Sequence, residues 1–202
     1  MIRSRFVPAL PAILPAILIV LNAPALVAQA PGPGGTEPPT ARVAVLTASL
    51  YNDQANVREA TDTAQAVLAT AVIRDRLVEQ LGAQVIPYGL IDSLAAAPEA
   101  LEAAGGVPCN VKVACAVAVA RQSGARWVVM TKVSKTSNLI WLLSAQLVRV
   151  ATGEIVLDDS TELKGEPGPM VRVGVRSFGD RVARTIRAGG YTTNFPAGEP
   201  SF

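Results

Sequence analysis

Past residue 41 the apolar positions change rhythm several times. Residues 42–46 (RVAVL) form a short run with a single charge, the pattern of a strand covered on both faces. Residues 62–81 switch to a helical period. Asp62 followed by Gln65 resembles a capping box, and Gly82 supplies a stop. Val67, Ala71, Val78 and Leu81 fall on one side of a 3.6-residue wheel, with Leu77 and Ile73 widening it. Arg74 sits inside this stripe, read as a snorkelling arginine or a buried ion pair rather than as a ligand contact. A second strand is expected at 83–88 (AQVIPY), marked off by Pro87. Short helices follow at 91–97 and 98–104, closed by Gly105-Gly106, and another at 113–123, closed by Gly124. The strongest strand signals are 126–135 (RWVVMTKVSK) and 139–150 (LIWLLSAQLVRV). Ala151-Thr152-Gly153 then turns the chain into a strand at 154–163, glycine supplying the positive φ of a tight hairpin. Pro169 opens a last helix that runs to about Arg187, with Val171, Val175, Phe178, Val182 and Ile186 along its apolar side.

The resulting order is β-α-β-α-α-β-β-β-α. Early strands joined through helices imply parallel pairing, and late strands joined by turns imply antiparallel pairing. The expected fold is a single α/β (α+β) domain with a mixed sheet flanked by helices. Its limits come from composition. Residues 31–40 (PGPGGTEPPT) read as a proline- and glycine-rich linker, and residues 189–202 as a flexible tail carrying Gly189-Gly190, Pro196 and Pro200. The domain between them, residues 41–188, is long enough to bury one core. No internal repeat of useful period is present.

Residues 1–30 read as an address. Arg3 and Arg5 precede an apolar run, and Ala28-Gln29-Ala30 places small residues at −3 and −1, so a secretory signal peptide cut after Ala30 is expected. A retained anchor is the alternative, but Pro8, Pro11 and Pro15 interrupt the run and it is short of the ~20 residues of a spanning helix. The expected location is the periplasm or the exterior. Cleavage also resets the charge: of 18 basic residues, Arg3 and Arg5 leave with the leader, balancing the 16 acidic ones. Nucleic-acid binding therefore loses its compositional support.

The chain contains no histidine and two cysteines. Ser-His and Cys-His nucleophiles, imidazole acid/base chemistry and His-bearing zinc sites are excluded, and two thiolates cannot close a four-thiolate site. No metal and no cofactor is expected. Cys109 and Cys115 are expected to form an intrachain disulfide in an oxidising compartment, pinning the loop at Pro108-Cys109 to the helix beginning near Val113. The alternative is a redox-active pair, a thiol-disulfide protein, because thiolates at a helix N-terminus are acidic.

No catalytic residue is assigned. Asp158-Asp159 are consecutive on a strand and point to opposite faces, Glu99 and Glu102 read as solvated surface, and Ser134, Ser137 and Ser160 have no base in view. Gly105-Gly106 lacks a phosphate-binding fingerprint. Two surfaces remain. The last helix carries Arg172, Arg176, Arg181, Arg184 and Arg187 against Asp180. That array either complements the helix dipole or forms a basic interaction surface for an acidic partner or a peripheral membrane contact. Ser144 and Gln146 face away from Leu143, Ala145 and Leu147, suggesting a sheet with one face buried and one partly solvated.

The segments RVAVL, the cysteine pair before a helix, GARWVVMTKVSKTSNLIWLL and ATGEIV together resemble a bacterial family of small secreted proteins of uncharacterised function. Its domain is similar to the amino-terminal domain of TolB and to the envelope proteins CsgG, LpoB and PelC. The resemblance spans residues 41–188 and is most specific over 124–143; the C-x5-C spacing is longer than the family pattern. It implies a mixed sheet flanked by helices and a non-enzymatic binding or adaptor role toward an envelope or periplasmic protein. It also implies an accessory role in an envelope or periplasmic oxidation system.

Overall fold

The computed structural model describes residues 42–52, 60–137 and 140–190. The leader, the linker and nearly all of the tail lie outside these residues. Among these residues, besides two 3-10 turns, ten strands and α-helices follow one another: β1 (Val43–Val45), β2 (Ser49–Asn52), α1 (Ala60–Leu81), α2 (Tyr88–Ala95), α3 (Pro98–Ala104), α4 (Val113–Gln122), β3 (Trp127–Lys135), β4 (Ile140–Arg149), β5 (Glu154–Lys164) and α5 (Pro167–Arg187). The mixed α/β architecture is the expected one.

The sheet runs β1-β3-β4-β5, with β2 also alongside β3. Strands β1 and β2 are both parallel to β3, Val43 facing Trp127 and Ser49 facing Lys132. The register slips by one residue between them, so they form one edge row broken at Leu46-Thr47-Ala48. The β3-β4 and β4-β5 pairs are antiparallel. β5 is the outermost strand and carries charges at Glu154, Asp158, Asp159, Glu162 and Lys164.

Two apolar cores lie on opposite faces of the sheet. Side chains from alternate strand positions, including Val45, Trp127, Val129, Leu143 and Leu147, pack with Ile73 and Leu77 of α1 and Phe178 and Val182 of α5. The intervening positions Ala44, Val128, Met130 and Val148 pack under α2, α3 and α4. This is the period-2 alternation of a sheet covered by helices on both sides. Helix α5 buries the whole expected stripe, Val171 to Ile186. It comes close to α1 because Gly179 has no side chain: a Cβ there would lie 3.0 Å from Cγ of Arg76 and 3.3 Å from Cδ1 of Ile73.

Several expectations are corrected. The strand expected at 83–88 shrinks to a single parallel bridge, Val85 to Val43, because Gly82 at φ +56° starts a 3-10 turn and Pro87 already leads into α2. Strand β2 was not foreseen. The inner face of α1 is Ala66, Ala69, Thr70, Ile73 and Leu77, whereas Ala71, Val67 and Val78 face water. Asp62 does not open the helix, which begins at Ala60; its carboxylate lies buried and pairs with Lys135 Nζ at 2.8 Å.

Candidate functional site

The broken edge row positions a crevice. Where β1 ends, Leu46-Thr47-Ala48 leaves the regular pairing before β2 resumes it beside β3. Here the chain leaves the edge row toward α1 on one face, while α4 leads into β3 from the other. The resulting crevice encloses about 620 Å³. Its floor is the Leu46–Leu50 segment, and its walls come from α1 (Thr63, Ala66, Val67), the end of α2, Leu101 of α3 and the turn at Pro108-Cys109-Asn110.

Hydrogen bonds fix this geometry. Thr70 Oγ1 accepts the Ala48 N–H at 2.9 Å and donates to the Ala66 carbonyl at 2.8 Å, tying the strand break to α1. Asn110 Nδ2 donates to the Thr131 carbonyl at 2.8 Å and locks the turn to β3. Arg74 grips Asp92 bidentately, Nη2 to Oδ1 at 2.5 Å and Nη1 to Oδ2 at 3.0 Å, and Thr47 Oγ1 donates to the same carboxylate at 2.9 Å. The Arg74 guanidinium also stacks 4.6 Å from the centre of the Tyr88 ring, whose hydroxyl donates to the Arg74 carbonyl. Arg74 thus forms an ion pair as the sequence reading allowed, though with an exposed carboxylate instead of a buried one. Burial alone would raise the Asp92 carboxyl. The hydrogen bonds from Arg74 and Thr47, with the charge of Arg74, outweigh it and hold the group below the usual carboxylate range.

Two properties follow for the crevice. Asp92 is its one ionisable lining residue among the described residues, and that carboxylate is occupied by Arg74. Val67 and Leu101 present apolar side chains to water, 63% and 56% exposed. Ser49, 8% exposed, keeps a hydroxyl without a hydrogen-bond partner. The lining is therefore mainly apolar, the Ser49 hydroxyl lies beneath its surface, and among the described residues it holds no acid/base pair. Among the described residues no three His, Cys, Asp or Glu side chains converge as a metal site needs.

Cys109 and Cys115 are joined as a disulfide, as expected from the sequence. The bridge ties the 3-10 turn Cys109–Val111 at the crevice rim to the first turn of α4. Cys115 is fully buried and Cys109 nearly so, which shields the sulfurs from an attacking thiolate.

The arginines of α5 are dispersed. Arg176 lies 3.7 Å from Glu79, Arg181 pairs with Asp159, and Arg187 donates to the Gln80 carbonyl and side chain. Arg172 and Arg184 are exposed and make no ion pair among the described residues. Asp180 is taken by Arg76 of α1 at 2.6 Å. Asp159 thus faces α5 while Asp158 points to solvent, the opposite orientations expected of consecutive strand residues. Ser144 and Gln146 lie half-buried in a shallow depression of about 160 Å³ with Asn110 and Lys132, on the face that α5 does not cover.

The model of a family described as "Protein of unknown function (DUF2380)" matches residues 41–178. Among solved structures, the chain is similar to the LpoB C-terminal domain from Salmonella enterica (20% identity, TM-score 0.44, 62% of this chain and 84% of that one). It is similar to lipoprotein GNA1162 from Neisseria meningitidis (13% identity, TM-score 0.46, 72% of this chain and 99% of that one). It is also similar to TolB from Acinetobacter baumannii (14% identity, TM-score 0.41, 76% of this chain and 29% of that one). LpoB and TolB are proteins to which the sequence segments already pointed. No curated protein matches the chain.

Proposed function

We propose that this chain, which belongs to the family described as protein of unknown function (DUF2380), is a non-enzymatic binding or adaptor module. The reading places it in the periplasm or outside the cell, after a cut behind Ala30. The observation that carries it is the crevice at the break between β1 and β2. Its walls expose Val67 and Leu101, and the single ionisable side chain among its described residues is spent on holding α1 to α2. A site of that kind rewards the burial of apolar surface, roughly 25 cal/mol per Å², and has nothing with which to move a proton. The occupant fitting it best is an apolar side chain or short apolar segment of an envelope or periplasmic protein. The disulfide at the rim supports both the oxidising address and a preformed wall.

The test uses the mature chain as bait in envelope extract, beside the variants Val67→Asp and Leu101→Asp. Both positions are exposed, so both variants are expected to fold. A partner retained by the parent and lost from both variants supports the reading. A partner retained equally by all three places binding elsewhere and overturns the assignment of the crevice. Turnover of a substrate by the parent, abolished by one point substitution, overturns the non-enzymatic reading itself.

A further inference from the structure

The floor of the crevice is also an edge of the sheet. Strand β2 pairs with β3 on one side, and among the described residues no strand lies along its other side. Next to β1 the chain itself begins to supply that missing neighbour. Val85 forms a parallel bridge to Val43, and the Ile86 N–H donates to the Val43 carbonyl at 2.9 Å. Pro87 then diverts the chain into α2. Further along, side chains stand in for a strand. Arg74 Nη2 donates to the Val45 carbonyl at 3.3 Å, and Thr70 Oγ1 accepts the Ala48 N–H at 2.9 Å. Beyond Ala48, no hydrogen bond from another described residue reaches the outer edge of β2.

The vacant row lies between two apolar walls. On one face of the sheet α1 exposes Val67 to it, and on the other α3 exposes Leu101. Successive side chains of an extended segment point to opposite faces, so one set meets Val67 and the next meets Leu101. The floor, Leu46–Leu50, matches about five residues of added strand at roughly 3.3 Å each. Asp92, the one ionisable lining group among the described residues, is already paired with Arg74. A charged side chain entering the crevice would therefore lose water without gaining a counter-ion. The two sheet edges also differ. Outermost strand β5 carries five charges, the usual protection of an edge against pairing, whereas β2 (Ser-Leu-Tyr-Asn) carries none.

We propose that the crevice takes its occupant by strand addition: an uncharged, extended segment of a partner protein lies along β2 and fills the row that Val85 and Ile86 begin. This rests on the crevice being the binding site and adds the form of the partner to it. Main-chain hydrogen bonds to the open edge supply affinity, and Val67 and Leu101 select the side chains on the two faces of the segment.

The experiment titrates the mature, oxidised chain with a capped seven-residue peptide of alternating valine and threonine. Its counterpart has the same side chains but ester links in place of the amides, and so lacks N–H donors. Affinity is measured for the parent, Val67→Asp and Leu101→Asp, and amide exchange of residues 47–52 is followed by NMR. The expected result is slower exchange in β2 on binding, with affinity lowered about tenfold or more in the ester counterpart, the loss of two or so hydrogen bonds. Both aspartate variants should also bind the amide peptide more weakly. Equal affinity for the two peptides, still sensitive to the aspartate variants, would overturn strand addition and leave the crevice as the site. Binding that neither variant weakens would overturn the crevice and strand addition together. Absence of binding by the amide peptide at millimolar concentration would overturn strand addition alone, since the extract experiment judges the crevice independently.

Discussion

Reduction of the Cys109–Cys115 bridge isolates a single energetic contribution, because both sulfurs stay in place and no cavity is opened. The bond links residues six apart in sequence. Chain-entropy reasoning for so small a ring gives about 2 kcal/mol of stabilisation, lost when the denatured chain is freed. For a domain of this size, that corresponds to a fall in melting temperature of roughly 4–8 °C. The measurement is urea unfolding of the mature chain with and without a phosphine reductant, followed by tryptophan fluorescence. Trp127 and Trp141 both pack with α1 and α5, across the sheet from the bridge, so their emission reports global unfolding and not the local loss of the turn. The reduced chain is expected to fold to the same emission maximum and to unfold at lower urea. A difference under about 0.5 kcal/mol would show that the turn is held by Asn110 and its packing alone, refuting the entropic argument. Failure of the reduced chain to fold would refute it from the other side. Because the sulfurs are buried, a small thiol should reduce the native bridge far more slowly than the bridge in urea.

Phe178→Ala empties a fully buried position between α5 and the sheet and is expected to cost about 3–5 kcal/mol in urea unfolding. Val67→Asp, on an exposed crevice wall, should change stability by no more than about 0.5 kcal/mol in the same assay, which separates binding defects from folding defects. The Asp92 carboxyl is more acidic in the folded chain than in the unfolded one, whose value is near 4. Its contribution is therefore complete above the unfolded value and disappears as pH falls through the folded one. Urea midpoints from about pH 6 down to about pH 2 should show an acid limb that is shallower in Asp92→Asn. An identical limb in the variant would assign the acid sensitivity to other carboxylates.

Helix α5 was legible because its apolar residues are large and recur cleanly at 171, 175, 178, 182 and 186 against a polar remainder. Helix α1 misled for the converse reason. Its inner face is built from Ala66, Ala69 and Thr70, which weigh little on a hydrophobic wheel, so Val67 and Val78 pulled the stripe toward water. Strand β2 has no signal of its own; Ser-Leu-Tyr-Asn becomes a strand only because β3 offers a parallel partner along Lys132 to Lys135. The cysteine pair was readable from compartment and spacing. The crevice was not, since its lining comes from five stretches of chain, floor included, and the groups that brace it, Thr47, Arg74 and Asp92, are separated by up to 45 positions. The α5 arginines look like one array in sequence, but Arg176 and Arg181 are drawn off by Glu79 and Asp159, partners remote in the chain.

The placement of helices on the two sides of the sheet has a dynamic consequence. The layer carrying α2, α3 and α4 touches the rest chiefly through the first half of the sheet, while α1, the β3–β5 meander and α5 share a continuous interior of their own. Amide exchange should therefore divide the molecule into a slow half around α1 and α5 and a quicker half in the α2–α3 layer. Arg74 and Asp92 clamp the start of that quicker layer to α1, so removing their ion pair should speed exchange in α2 before it is felt in the slow half.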